Sequence, residues 1–307
     1  MTEFLMIIRD IILPIFIVMA IGFVLQKKFK MDISTLSKLN IYFVVPAFIF
    51  VKLYSTEFSI GILGTVVSFF ITYIILLYLI SVITAKLLGL DKGKKTTFSN
   101  SILFFNSGNY GVPVNDLVFK SDPFAMSIQV IVLTLQNIFT FSYGIFSLQS
   151  VHAGKWKAML GYFKMPVLYA MLAGMVLNAI NISIPSFIWV PANYIADAMI
   201  ALALLTLGAQ VARIQFKSGL SSVYSSIIVR LMIGPILALF IIWVFRLDGI
   251  TAQALFIASV MPTSVNSVVI AEEYKNHPEF AAQAVLFSTV ISAFTVSMVI
   301  YLSNLLF

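Results

Sequence analysis

NSGNYGVPVND, residues Asn106 to Asp116, stands in the middle of an apolar segment long enough to cross a membrane. It holds two glycines, a proline, three asparagines and an aspartate. Each of these interrupts a helix or carries polar atoms into hydrocarbon. Lipid offers no water to freed backbone groups, so such a break survives only inside protein or beside a wet cavity. The stretch therefore predicts a broken helix that faces a polar site.

The rest of the chain fits that reading. Its 307 residues are 61% hydrophobic and only 10% charged, with a mean hydropathy of +1.04. A soluble domain carries roughly 25% charged residues, so the chain is expected to be a polytopic protein of the lipid bilayer. The net charge of +7 comes from lysines in short loops, which points to a cytoplasmic face and not to nucleic acid. Without cysteine there is no disulfide, thiolate metal site or cysteine nucleophile. His152 and His277 lie too far apart in sequence to suggest a metal site, and no phosphate loop or catalytic triad spacing occurs. No enzyme, cofactor or metal is expected. The opening MTEFLMIIRDII reads as a first span and not as a removed signal peptide.

Apolar runs give ten candidate spans, at 4–26, 34–54, 58–88, 96–119, 123–148, 164–181, 187–211, 218–246, 249–273 and 278–306. Loops after the odd spans carry 14 lysines and arginines, the opposite side carries four, and Arg230 lies within a span. Odd spans therefore end in the cytoplasm, and both termini lie outside a cell (plasma or inner) membrane.

Pro14 to Leu25, PIFIVMAIGFVL, and Pro166 to Leu177, PVLYAMLAGMVL, agree at Pro, Met, Gly, Val and Leu. The second copy opens span six. Five spans per copy is an odd number, so the copies lie upside down relative to each other, the usual plan of secondary transporters. The fold class expected is an all-α membrane protein of ten transmembrane helices in two inverted five-helix repeats. Residues 1–148 form the first repeat, 149–163 a cytoplasmic linker and 164–307 the second repeat.

The repeat requires a partner for the opening stretch in span nine, and VMPTSVNSVV, Val260 to Val269, supplies it. Paired breaks in corresponding spans point to a transporter's binding site. Half-helices are expected to begin near Val114 and Thr263, each presenting unpaired N–H groups and a partial positive charge. Two such ends suit an anion, with a carboxylate the obvious ligand. The candidate binding residues are Asn106, Asn109, Gly111, Val112, Pro113, Val114 and Asn115 from the first break, and Pro262, Thr263, Ser264 and Asn266 from the second. Two proline kinks with asparagines capping freed backbone are the structural alternative.

Gln129, Gln136 and Asn137 share a face of span five; Ser288, Ser292 and Thr295 form a stripe on span ten. Gln136 and Asn137 are taken as candidate path residues, although small polar groups also serve as glue between helices. Asp197 and Arg230 reach similar mid-membrane depth and are expected to pair, either as a structural bridge or as a proton-linked switch. Asp116 is a candidate protonation site or a cap. Glu272 and Glu273 are expected to be solvated.

With these residues placed, the chain resembles a bacterial member of the auxin efflux carrier family, relatives of the plant PIN carriers. The resemblance rests on NSGNYGVPV, LALLTLGAQVA (Leu202 to Ala212), IGPILALF, VMPTSVNSVVIAEEY and LFSTVISAFTV (Leu286 to Val296). It implies crossed broken helices in spans four and nine, as in bile acid/sodium symporters. It also implies a mobile transport domain of spans 3–5 and 8–10 moving against a scaffold of spans 1, 2, 6 and 7. Asn109, Pro113 and Pro262 match the family's crossover positions. The implied function is secondary active transport, by alternating access, of a small organic carboxylate anion, either an auxin-like monocarboxylate or a malate- or malonate-like dicarboxylate. Protons are a candidate coupling ion and a homodimer a candidate assembly. A sodium-coupled symporter of an amphipathic anion and a transporter-derived channel or receptor stay open. Two departures stand out. Many relatives have proline where Ala201 stands, so a kink there is expected to be lost. Span nine has no acidic residue at its break, which weakens sodium coupling and leaves proton coupling or uniport open.

Overall fold

A computed structural model describes residues 2–56, 60–152, 166–214 and 221–307, and these are helical with no strand among them. Seven helices are long and apolar enough to cross a membrane. They are α1 (Glu3–Phe29), α2 (Ile33–Ser55), α3 (Gly61–Leu87), α6 (Pro123–Gly144, helical on to His152), α8 (Ser186–Arg213), α9 (Ser221–Phe245) and α12 (Pro278–Leu306). Between them lie α4 (Lys92–Leu103) and α5 (Val112–Val118), α7 (Pro166–Ala179), then α10 (Gly249–Ser259) and α11 (Asn266–Glu273). The expected spans 96–119 and 249–273 are thus each two short helices and a break. At 1.5 Å per residue, α4 and α10 cover only about 16–18 Å, well short of the roughly 30 Å hydrocarbon core. The expected linker lies mostly outside the described residues. Large apolar side chains face outward around the bundle, among them Phe187, Trp243 and Leu87, as a lipid-solvated surface requires.

Four π-turns occur among the described residues, at Ile8–Ile12, Asn40–Val44, Ser107–Gly111 and Val229–Ile233. Each ends two residues before a proline: Pro14, Pro46, Pro113 and Pro235. A proline ring lacks the N–H and collides with the carbonyl four residues back. The wider turn takes up that displaced carbonyl, so the helix continues where an α-helix would break. Proline here marks a widened turn, not the end of a half-helix.

Glycine lets the backbones of the long helices touch. A Cβ on Gly22 of α1 would stand 2.2 Å from the Leu205 carbonyl oxygen of α8, and one on Gly208 of α8 would stand 1.9 Å from that of Met19. Gly174 of α7 faces the Phe50 carbonyl of α2 in the same way, at 2.9 Å. Gly22 and Gly174 hold equal places in the two proline-headed segments, and each packs on a backbone carbonyl of another helix. The α8 helix is interrupted at Ala198, so an irregularity persists in that region without a proline at Ala201.

In the loops, Asp32 and Asp91 cap helix starts. Asp32 accepts from the Thr35 hydroxyl and from the Ser34 and Thr35 amides, and Asp91 accepts from the Lys94 amide. These bonds favour the charged form and hold both carboxyls below the usual carboxylate range.

Candidate functional site

The two breaks pair with each other. Phe105 and Thr263 form an isolated antiparallel bridge. The Asn106 amide donates to the Pro262 carbonyl at 2.8 Å, and the Ser264 amide donates to the Phe104 carbonyl at 2.7 Å. Each break thus satisfies the other's freed backbone groups, as hydrocarbon demands.

The last four carbonyls of α4 all find donors. Asn100 accepts from the Phe104 amide at 2.9 Å, and Ser101 from the Thr263 hydroxyl at 2.8 Å. Ile102 accepts from Arg230 Nη1 at 3.0 Å, and Leu103 from Gln136 Nε2 at 3.2 Å. Arg230 also donates through Nη2 to the Ser259 carbonyl, the last residue of α10, and to the Tyr73 hydroxyl at 2.5 Å. Tyr73 in turn donates to Ser259 at 2.9 Å. The guanidinium lies 4.9 Å from the Phe105 ring centre and is fully buried. Two helix C-termini, each worth about half a negative charge, therefore meet one built-in cation. Gly234 makes room for this knot, since a Cβ there would stand 2.9 Å from the Tyr73 hydroxyl.

This arrangement corrects the expected Asp197–Arg230 pair. Asp197 is exposed on α8, and no ion pair joins the two among the described residues. Equal depth in the membrane fixed only one coordinate, and the partners Arg230 uses are backbone carbonyls and a tyrosine.

The opposite ends of the breaks open onto a cavity of about 60 Å³. Of the expected residues, Asn106, Asn109, Gln136, Asn137, Ser264 and Asn266 line it. The others lie elsewhere. Pro113 sits inside a helical turn and Val112, Val114 and Asn115 are buried behind it, with Asn115 donating to the Ala125 carbonyl at 3.3 Å. Gly111 admits Gln129, whose Nε2 would stand 2.6 Å from a Cβ there. Pro262 belongs to the extended break itself. The Thr263 amide is taken by Ser288 Oγ at 3.0 Å. Asp116 accepts from Ser121 Oγ at 3.1 Å in the turn after α5, away from the cavity. The helix starts that face the cavity are consequently Asn106, whose Oδ1 accepts from the Asn109 amide at 3.1 Å, and Asn266. They are not Val114 and Thr263 as expected, because the π-turn absorbs Pro113 and the amides after Pro262 are committed to Ser288 Oγ and the Phe104 carbonyl.

Two polar stripes resolve differently. On α6, Gln129 holds the Ser107 carbonyl at 2.7 Å and Gln136 the Leu103 carbonyl, so the two amides clamp the first break from both sides. On α12, Ser288 fastens the second break, while Ser292 bonds within its own helix. Gln136 and Ser288, 152 residues apart, each fasten a break, Gln136 by donating to the Leu103 carbonyl and Ser288 by accepting from the Thr263 amide.

The sequence reading missed the far wall. Ser37 and Asn40 of α2, Thr140 of α6, and Thr206 and Gln210 of α8 line the same cavity. Asn40 Nδ2 donates to Thr206 Oγ1 at 2.9 Å, and Gln210 Nε2 to Ser37 Oγ at 3.1 Å. A lone asparagine in an apolar run before Pro46, and Thr206 and Gln210 in a small-residue helix, were the available signals. Among the described residues, none that lines the cavity is charged. A second, wider cavity of about 320 Å³ shares Gln210 and Val265 with it and adds Arg213, Glu272 and Glu279. Glu272 and Glu273 are exposed, as expected.

A family model described as membrane transport protein matches residues 7–159 and 150–300. An uncharacterized transporter from Methanothermobacter thermautotrophicus is 25% identical over 292 residues, 92% of this chain and 94% of its own. A "Probable auxin efflux carrier component 9" from Oryza sativa subsp. japonica is 26% identical over 143 residues, 45% of this chain and 34% of its own.

Proposed function

Since this chain belongs to the membrane transport protein family, we propose that it is a secondary active transporter of a small organic carboxylate, working by alternating access. The observation that carries the reading is the cavity at the N-terminal ends of the paired breaks, lined by amides and by no charged side chain among the described residues. Helix starts and amide donors suit an anion without a buried lysine or arginine. The small cavity favours a small acid over an amphipathic one, beside the ~300–1,000 Å³ of pockets for drug-sized ligands. Among the described residues no carboxylate lines the cavity, which argues against a sodium site held there by an acidic side chain.

The architecture behind this reading is two inverted five-helix repeats whose broken helices cross. The matching contacts of Gly22 with Gly174 and of Gln136 with Ser288 support it. The scaffold is α1, α2, α7 and α8; the moving part holds both breaks. Asn40, Thr206 and Gln210 on one side of the cavity and Asn106, Asn109 and Asn266 on the other support a site at the boundary between them. The charge bias supports termini outside the cell membrane and the wider cavity, lined by Arg213, on the cytoplasmic side.

The test is thermal unfolding of the purified protein with a panel of mono- and dicarboxylates. A ligand that binds the folded state raises its apparent stability by about 2.7 kcal/mol at a hundred times its Kd. Stabilisation by small carboxylates supports the reading; stabilisation by organic cations alone refutes it. For topology, a cysteine at Lys92→Cys should resist an impermeant reagent added outside intact cells, and labelling there would overturn the orientation.

A further inference from the structure

Two amides lining the cavity have fixed orientations. Asn106 Oδ1 accepts from the Asn109 amide, so its other terminal atom must be the Nδ2 donor. Gln136 Nε2 donates to the Leu103 carbonyl, so its other terminal atom must be the Oε1 acceptor. Turning either amide over would set two donors or two acceptors face to face. Both side chains are almost fully buried, at 4% and 2% exposure. Asn106 Nδ2 and Gln136 Oε1 have no hydrogen-bond partner among the described residues. Asn40 and Gln210 differ, because their partners are the hydroxyls of Thr206 and Ser37, which can donate or accept. Two residues that line the cavity thus hold one committed donor and one committed acceptor, both buried. Most buried polar atoms are paired, and an unpaired one in a cavity points to the group that will pair with it.

A carboxylate accepts only, so it can satisfy Asn106 but not Gln136. Protonating the ligand's carboxyl would supply a donor, but near pH 7 only about one molecule in several hundred carries that proton. We propose that the ligand bears a hydrogen-bond donor, a hydroxyl or an N–H, beside its carboxylate, with Asn106 Nδ2 donating to the carboxylate and Gln136 Oε1 accepting from that donor. The proposal rests on the carboxylate reading above and narrows it. A site with a buried acceptor rejects an analogue that leaves it unpaired, whereas the acid that fills it gains both bonds.

The experiment measures binding to the purified full chain, at pH 7, of acids paired with analogues that lack the donor. Glycolate is set against acetate and lactate against propionate for a hydroxyl; pyrrole-2-carboxylate is set against furan-2-carboxylate for an N–H. At least about tenfold tighter binding of the donor-bearing member is expected in one series, and the series tells hydroxyl from N–H. In Gln136→Met the preferred acid should fall to the affinity of its analogue, while Gln253→Met, far from the cavity, keeps the discrimination. Equal binding within all pairs overturns the donor proposal and leaves the carboxylate reading intact. Discrimination that survives Gln136→Met also overturns it. If no acid binds, both readings fail. Should Gln136→Met not fold, the pairs on the wild-type protein still decide.

Discussion

The paired breaks have two faces, and they are finished differently. On one face the C-terminal ends of α4 and α10 meet Arg230, which supplies a permanent cation and bonds to Ile102, Ser259 and Tyr73. On the other face the Asn106 and Asn266 helix starts meet a cavity that no charged side chain lines among the described residues. The negative ends are neutralised by the protein itself; on the proposed reading the positive ends are left for a ligand. A charge built into both faces would lock the site. A charge built into neither would leave two converging C-termini unbalanced in hydrocarbon.

The largest effect should come from the cation face. Arg230→Gln leaves buried acceptors at Ile102, Ser259 and Tyr73 with fewer donors, at about 1–3 kcal/mol each. The unfolding midpoint in denaturant should fall by an amount worth several kcal/mol, and Arg230→Lys, which cannot span all the partners, should fall in between. An Arg230→Gln protein as stable as wild type would remove this half of the comparison.

Next comes a residue that serves both roles. Asn106→Ala removes an N-cap, worth about 1 kcal/mol of stability, and also the committed donor of the cavity. Carboxylate binding should weaken about tenfold or more while the stability loss stays modest. A variant that loses stability but binds normally would reduce Asn106 to a cap.

A smaller effect is expected from pH. With no titratable group lining the cavity among the described residues, affinity for a carboxylate whose own pKa is below about 5 should change little between pH 6 and 8. Asp91 adds a separate effect on stability. Its carboxyl is depressed in the folded state, so its contribution is present above the unfolded pKa near 4 and is lost as pH falls through the folded value. Isothermal titration across that range checks the first point, and a step in affinity near neutral pH would contradict it. The smallest effect should be that of Asp197→Asn. An exposed side chain away from the knot should shift stability by no more than about 0.5 kcal/mol, and a large loss would revive the pair with Arg230.

What the sequence revealed and what it hid divide along a physical line. The two interruptions and the polar face of α6 were legible, because helix breakers and polar atoms in hydrocarbon are costly enough to need a reason. The start of each half-helix was misplaced, since a π-turn can absorb a proline such as Pro113 and residue type does not announce one. The partners of Arg230 were unreadable for a related cause: a backbone carbonyl is present at every residue, so nothing in the sequence marks Ile102 or Ser259 as special. Depth alone suggested Asp197. The far wall of the cavity, Asn40 with Thr206 and Gln210 with Ser37, depended on which faces of α2 and α8 turn inward, and their polar residues were too sparse to show it.

The central claim is that the ligand binds at the N-terminal face of the paired breaks. Its most direct test is counterflow uptake into proteoliposomes of a carboxylate that stabilises the protein, measured for wild type, Asn109→Ala and Asn266→Ala. A hydrogen bond to a charged group contributes about 1.5–3 kcal/mol, so each variant should need roughly 10- to 100-fold more substrate while unfolding at nearly the wild-type temperature. Normal uptake by both variants, or competition by a cation in place of an anion, would contradict the account.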